Sequence, residues 1–312
     1  MRGTVGWSFP GGFVAITERV HYFRNAPSIK LARMLTDILK THIAMPNVYN
    51  VQNSTQLMND ISQIQFVPEV KLASLDISNM YTNIPTKNLI SIINNICKKH
   101  NIDTITREII SIANLIITQN YFSFQDKTYI QNNGLAMGAP TSSILSEIYL
   151  QFLENTKIFD ILKEEKIIEY FRYVDDILII YNENITDVNQ VLKSFNDITP
   201  SLTFTLEQEE ENKLNFVDIL IIKTKDKISL DINRKRTTSE IIIPNDSCHP
   251  IEQKLAAIRN FTNRINTYSL DNSERQAETN IVKQIINNNK FDTSILNRIN
   301  GGKTKRENRA RR

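Results

Sequence analysis

The sequence predicts an α+β fold, in which an antiparallel sheet packs on helices and a helical piece follows at the C-terminal end. Three observations predict it. Short apolar strand-like runs at 70–77 and 171–181 are embedded among segments with helical periodicity. Consecutive strand-like runs fill 202–244. From 249 to 288 the apolar residues recur at helical spacing without a strand signal.

The elements follow in order. Residues 27–42 read as an amphipathic helix, with Leu31, Leu35, Ile38 and Leu39 on one side, and 53–66 as a second, with Leu57, Ile61 and Ile64 aligned. Residues 70–77, VKLASLDI, alternate and end in a polar turn, as a strand does. Residues 86–100 and 106–120 read as helices; Pro85 stands near the start of the first, and Lys98 and Lys99 lie in its last turn, where cations suit the dipole. A hairpin is expected over 121–131 around Gln125-Asp126, a long helix over 142–162, two short strands over 171–181 and a helix over 187–198. Two strand pairs are expected next, 202–209 with 213–223 and 227–235 with 239–244.

With 312 residues, 41% of them hydrophobic and 23% charged, the chain can bury a core as one large domain or two. No run approaches the roughly 20 apolar residues of a membrane span, and residues 1–20 lack the apolar stretch of a secretory signal. Two cysteines, Cys97 and Cys248, exclude a disulfide scaffold and a cysteine-rich zinc site. The net charge is +3, yet the last ten residues alone carry +5, which leaves −2 on residues 1–302. Attraction for nucleic acid would therefore come from local patches and this tail; the tail reads equally as a solubilising or targeting segment.

Asp76 closes the first strand-like run and reads either as an Asx turn or as a ligand. Asp175 and Asp176 stand between apolar strand segments, a costly position unless the turn meets water or a cation. Hard divalent cations take oxygen ligands and keep substrate phosphates in their shell. Two of them about 4 Å apart can activate a hydroxyl and stabilise a leaving pyrophosphate. Such chemistry needs carboxylates from separate segments, and Asp76 and Asp175 lie 99 positions apart. Tyr81 is either a half-buried core aromatic or a ring that excludes a 2′-hydroxyl. The loop from Gly134 to Ser143 runs into a helix, as a simple turn capped by Ser142 or Ser143 or as a backbone approach to a phosphate or base.

In order, LDISNMYTNIP, GLAMGAPTSSILSEIYL, FRYVDDILIIY and FTLEQEEENKLNFVDI resemble motifs A, B, C and the D/E region of a reverse transcriptase. The chain is most similar to the Penelope-like retroelement family, relatives of telomerase reverse transcriptase. YTNIP after Asp76, the LxMGxP form of motif B and the LxFxD form near the primer grip carry this resemblance, which extends over about residues 25–299.

The resemblance implies a polymerase right-hand palm with partial fingers and a helical thumb-like C-terminal region. It divides the chain into partial fingers at 1–66, a palm with inserted fingers helices at 67–247, a thumb-like region at 248–302 and a basic tail at 303–312. It implies RNA-directed DNA polymerase activity with Mg²⁺, or Mn²⁺, on an RNA template, a DNA primer and dNTPs, in the nucleus or between nucleus and cytoplasm. Asp76, Asp175 and the Ile77 carbonyl become metal ligands, with Asp176 as a weaker one. Tyr81 becomes the sugar gate, and Met137 and Gly138 line the nucleotide pocket. Leu214, Asn215 and Phe216 belong to the primer grip, and Arg172 touches either nucleic acid or an acidic neighbour. Lys213 is a candidate general acid by position, or a solvated turn lysine.

The sequence departs from the family at Ala136, Ala139 and Ser143, where LPMGSP and a following SP are usual; these exchanges remove no charge. Arg2, Arg19 and Arg24 match no fingers segment, and no GIY-YIG endonuclease motif is recognisable. Competing readings are an inactive truncated remnant that only binds nucleic acid, an interaction domain with solvated carboxylates, and a metal-dependent nuclease, which leaves Tyr81 and the Met137-Gly138 loop unexplained.

Overall fold

The structure, a computed structural model, describes residues 5–9, 12–16, 21–22, 28–43, 45, 49–64, 67–100, 103–124, 127–224, 228–234 and 240–299. The predicted turn at Gln125-Asp126, the N-terminal arginines Arg2, Arg19 and Arg24, and the basic tail lie outside them.

The chain begins with β1 (Val5–Phe9), β2 (Gly12–Ile16) and β3 (His21–Tyr22), none of them expected. α1 (Ser28–His42) and α2 (Ser54–Ser62) stand where the periodicity put them; α1 buries Ala32, Leu35 and Leu39. β4 (Val70–Ile77) matches its prediction and is followed by the single turn α3 (Met80–Asn83). Then come α4 (Thr86–Lys99), α5 (Asp103–Thr118), β5 (Tyr121–Phe124) and β6 (Lys127–Ile130). The expected helix over 142–162 is α6 (Ser142–Leu153), one π-helical turn (Glu154–Ile158) and α7 (Phe159–Glu164) without a break. β7 (Glu169–Tyr173) and β8 (Asp176–Asn182) form the next hairpin, followed by α8 (Val188–Asn196) and β9 (Phe204–Gln208). β10 (Lys213–Phe216), β11 (Ile219–Lys223), β12 (Ile228–Ile232), α9 (Ile251–Thr267) and α10 (Asn272–Asn288) complete the order.

Two expected strand pairings are corrected. Residues 213–223 are themselves a hairpin, β10 against β11, with Phe216 opposite Ile219. β9 joins β4 instead, and β12 pairs with β11. Among the described residues, 240–244 form no strand. The physical reason is the two-residue turn Val217-Asp218, which splits an apolar run that reads as one strand.

Two compact units divide the chain, 1–50 with 75–207 and 51–74 with 208–312. In the first, β3, β5 and β6 form a small sheet with β5 in the middle, α4 packs on α5 and α6, and α1 packs on α5. The four-stranded sheet has the order β7-β8-β4-β9. Ile177 to Tyr181 of β8 are buried without alternation, as an interior strand covered on both faces requires. Phe195 of α8 is fully buried and meets the rings of Phe204 and Tyr170, with centroids 5.4 and 6.4 Å away. The Asn196 amide accepts from the Phe204 N–H and donates to the Phe204 carbonyl, which pins α8 to β9.

In the second unit, β10, β11 and β12 form a meander, and α9 and α10 bury Ile258, Ile265, Val282 and Ile286 with Phe291, Ile295 and Leu296. Asp271 and Glu274 form a reciprocal capping box at the start of α10. Arg275 donates to the carbonyls of Ile265, Tyr268 and Leu270, which satisfies acceptors left open at the end of α9. Among the described residues no helix is long and apolar enough to cross a membrane.

Phe195→Ala is expected to lower unfolding free energy by about 3–5 kcal/mol, and Asp271→Ala by about 1 kcal/mol. Denaturant titration followed by circular dichroism checks both, and equal losses would contradict the difference in burial.

Candidate active site

β8 and β4 are neighbours in the sheet, and the turn that opens β8 meets the end of β4. The Ile77 N–H donates to the Asp175 carbonyl at 3.2 Å, and the Ser78 N–H donates to Thr203 at 2.9 Å. Asp76, the exposed residue before Ile77, and Asp175, in the turn, thus come from remote segments to adjoining ends of the two central strands. Asp176 opens β8 opposite Tyr173 and is half-buried.

The hairpin turn is Val174-Asp175. Val174 has φ 58°, left-handed backbone that a β-branched residue resists. A positive φ at the first central residue alone has the pattern of a type II′ turn, the usual two-residue link between twisted strands.

α3 brings Tyr81 beside this turn. Burial pushes its phenol above the usual range, a hydrogen bond with Ser146 opposes this, and the negative charges of Asp175 and Glu147 push it further up. The Tyr81 carbonyl accepts from the Leu135 N–H at 2.6 Å, which ties the loop before α6 to α3. Gly134 makes this approach possible: its φ is +71°, and a Cβ there would lie 2.2 Å from the Thr82 carbonyl oxygen. Buried Gln131 holds the same loop by donating to the carbonyls of Asn133 and Leu135. Met137 and Gly138 form an exposed turn closed by the Ala139 N–H on the Ala136 carbonyl. Ser142 does not cap α6; its hydroxyl donates back to Ala136 at 2.5 Å, and Thr141 occupies the N-cap without a side-chain bond.

Of the two partners open to Arg172 from sequence, nucleic acid or an acidic neighbour, the structure shows acidic neighbours. Its side chain is 1% exposed, and all five N–H donors have acceptors within the protein. Nε and Nη2 donate to Glu154 at 2.5 and 3.1 Å, Nη1 and Nη2 donate to Glu147 at 3.0 and 2.9 Å, and Nη1 also donates to the Val174 carbonyl at 3.3 Å. Glu147, Gln151 and Glu154 stand at i, i+4 and i+7 of one helix, so a single stripe faces the strand. Burial works against the guanidinium charge, but the two carboxylates outweigh it and hold Arg172 protonated. Burial likewise opposes ionisation of Glu147, yet Arg172, Gln151 and Asn50 hold it below the usual carboxyl range. At Glu154 burial wins, helped by the charge of Glu147, and raises the carboxyl despite Arg172.

The Leu214 and Phe216 side chains are buried in the β10–β11 hairpin, 1% and 2% exposed, which leaves their main chain for any contact with a primer. Asn215, between them, points outward, and Lys213 is exposed at the start of β10. Neither Glu147 nor Glu154 was singled out from sequence, although an acid stripe on a helix followed by an arginine in an apolar strand is a readable pairing signal.

Asp76, Asp175 and the Ile77 carbonyl supply hard oxygen donors of the kind a divalent cation accepts. Among the described residues no group of three or more His, Cys, Asp or Glu is gathered for a metal.

Residues 26–220, more than half of the chain, match the family model for reverse transcriptase (RNA-dependent DNA polymerase). The chain belongs to the reverse transcriptase family. Residues 241–300 of this reverse transcriptase match an animal helix-turn-helix domain, which coincides with α9 and α10. The fold is similar to that of Candida albicans telomerase solved with a TWJ fragment of telomeric RNA (TM-score 0.55, 14% identity, 85% of this chain and 49% of that one). It is also similar to the Sicinivirus 3Dpol RNA-dependent RNA polymerase (TM-score 0.52, 13% identity, 84% and 57%). These likenesses show the right-hand polymerase fold, and the chain spans about half the length of those solved chains. A comparison with curated proteins finds no match.

Gly134→Ala is expected to displace the loop from α3 and to abolish whatever activity the site supports, whereas Asn133→Ala, at an exposed neighbour, retains it; parallel assays of the two purified variants check this. The buried acids also predict opposite pH effects. Glu147, with its folded value depressed, stabilises above the ordinary carboxyl range, and that share is lost as pH falls through the folded value. Glu154, with its folded value raised, contributes a share that is present below the ordinary value and lost as pH rises through the folded one. Urea midpoints from about pH 7 to pH 3 should fall less steeply on acidification in Glu147→Gln than in wild type, and more steeply in Glu154→Gln.

Proposed function

We propose that this reverse transcriptase is the RNA-directed DNA polymerase of a Penelope-like retroelement, joining dNTPs to a primer 3′-hydroxyl on an RNA template. The observation that supports the reading is the bond from the Ile77 N–H to the Asp175 carbonyl, which joins the two remote segments that carry Asp76 and Asp175. Asp76, Asp175 and the Ile77 carbonyl would hold Mg²⁺ or Mn²⁺, with Asp176 as a weaker ligand. When bound, the cations neutralise phosphate charge and lower the pKa of the primer hydroxyl.

The chain's own residues do the positioning. The Tyr81 ring, fixed through its carbonyl on Leu135 and its phenol on Ser146, packs under the incoming sugar and leaves no room for a 2′-hydroxyl. Met137 and Gly138 line the nucleotide on a turn whose backbone is exposed. Of Leu214, Asn215 and Phe216, Asn215 has the exposed side chain, and it contacts the primer backbone there. In this reading residues 1–66 belong to the fingers, 67–247 to the palm and 248–302 to the thumb, with the basic tail adding phosphate contacts. The YTNIP sequence after Asp76 and the LAMGAP loop favour the Penelope-like family within the reverse transcriptases.

Primer extension on an RNA template with Mg²⁺ tests the reading. Asp76→Asn and Asp175→Asn are each expected to cut extension at least about a hundredfold while RNA binding persists. Tyr81→Ala should raise ribonucleotide incorporation relative to deoxynucleotide by about tenfold or more. Salt-sensitive RNA binding without extension, in wild type and variants alike, would identify a nucleic-acid-binding remnant instead.

A further inference from the structure

The Val174 carbonyl belongs to the turn that carries Asp175, and it accepts from a guanidinium that has no access to water. We propose that Arg172, locked between Glu147 and Glu154, is a positioning residue that clamps the strained Val174-Asp175 turn and so sets where the Asp175 carboxylate stands. The inference rests on the catalytic reading of Asp175 given above.

Three features support it. First, the turn is anchored at both of its peptide carbonyls: Val174 accepts from Arg172 Nη1, and Asp175 accepts from the Ile77 N–H. Second, Val174 at φ 58° is a conformation its side chain disfavours, so something must hold it. Third, the guanidinium cannot drift. Two carboxylates grip it as planar bidentate partners, and its own strand is fixed by the Arg172 N–H on the Tyr49 carbonyl at 2.9 Å. Around the clamp, Tyr170 donates to Glu154 and Gln151 donates to Glu147, so each acid is itself oriented. The π-helical turn begins at Glu154, where a widened helix repeat carries the second acid of the clamp. Lysine at 172 would retain the charge but, with three donors on one nitrogen, lose the planar fork and both bidentate contacts.

The test is steady-state primer extension by the full chain with wild type, Arg172→Lys, Val174→Gly and the double variant. Folding is checked by circular dichroism. For folded Arg172→Lys, kcat should fall at least about tenfold with KM for dNTP within about threefold, because ground-state binding is spared while geometry is lost. The apparent Mg²⁺ requirement should rise with it. Glycine at 174 removes the conformational resistance, so Arg172→Lys/Val174→Gly should recover at least about threefold in kcat over Arg172→Lys. If Arg172→Lys does not fold, the neutral triple variant Arg172→Met/Glu147→Gln/Glu154→Gln takes its place, since removing buried charges together spares the fold. A folded variant with kcat within about threefold of wild type, or losses at 172 and 174 that simply add, overturns the clamp. A wild-type chain whose extension is unaffected by Asp175→Asn overturns the catalytic reading and the clamp with it; wild-type dependence on Asp175 with an indifferent Arg172 overturns the clamp alone.

Discussion

One backbone hydrogen bond, from the Ile77 N–H to the Asp175 carbonyl, carries the convergence on which the candidate site depends. Like charges repel, so the two segments that carry Asp76 and Asp175 are not drawn together by these acids themselves. The sheet does it instead: β8 is buried on both faces and β4 lies beside it, and the acids ride at the ends of strands that their apolar neighbours hold in place. The same field reaches Tyr81, whose phenol is raised partly by the charge of Asp175. The ring and the acid therefore share one neighbourhood, although their roles would differ.

The chain uses a Val-Asp turn twice. Val174-Asp175 links β7 to β8, and Val217-Asp218 links β10 to β11, with φ 58° and 52° at the valines. A β-branched residue there costs of order 1–3 kcal/mol and persists only where its surroundings over-determine it. Both turns are held by an arginine. Arg172 donates to the Val174 carbonyl, and Arg264 donates to the Asp218 carbonyl at 3.0 Å while Asn233 donates to that of Val217 at 3.2 Å. The difference lies in solvation. Arg264 is only partly covered, whereas Arg172 is sealed among acids whose ionisation the cluster itself adjusts in opposite directions.

The loop before α6 shows a further way to fix a polar segment near a site. Gly134 allows contact at a distance no side chain tolerates, and Gln131 and Ser142 supply bonds from within the fold to carbonyls of the loop. Ala136 and Ala139 are a carbonyl acceptor and an N–H donor in that turn. These are backbone roles that a change of small side chain leaves intact.

The periodicity of the sequence determined most helices within a few residues and the strands 70–77 and 171–181, because one-sided burial writes a period into the apolar residues. Motif order pointed to a reverse transcriptase. Strand pairing was not legible: β9 and the β10–β11 hairpin were mispaired because apolar runs specify burial and not partner, and the Val217-Asp218 turn carries no glycine or proline to announce it. Burial by face was also hidden. Leu214 and Phe216 look like motif residues and Arg172 reads equally as a contact to nucleic acid or to an acid; all three side chains are interior. Only the tertiary structure could decide this, because whether an arginine meets water or two glutamates depends on a helix 18 to 25 residues earlier in the chain folding back against its strand.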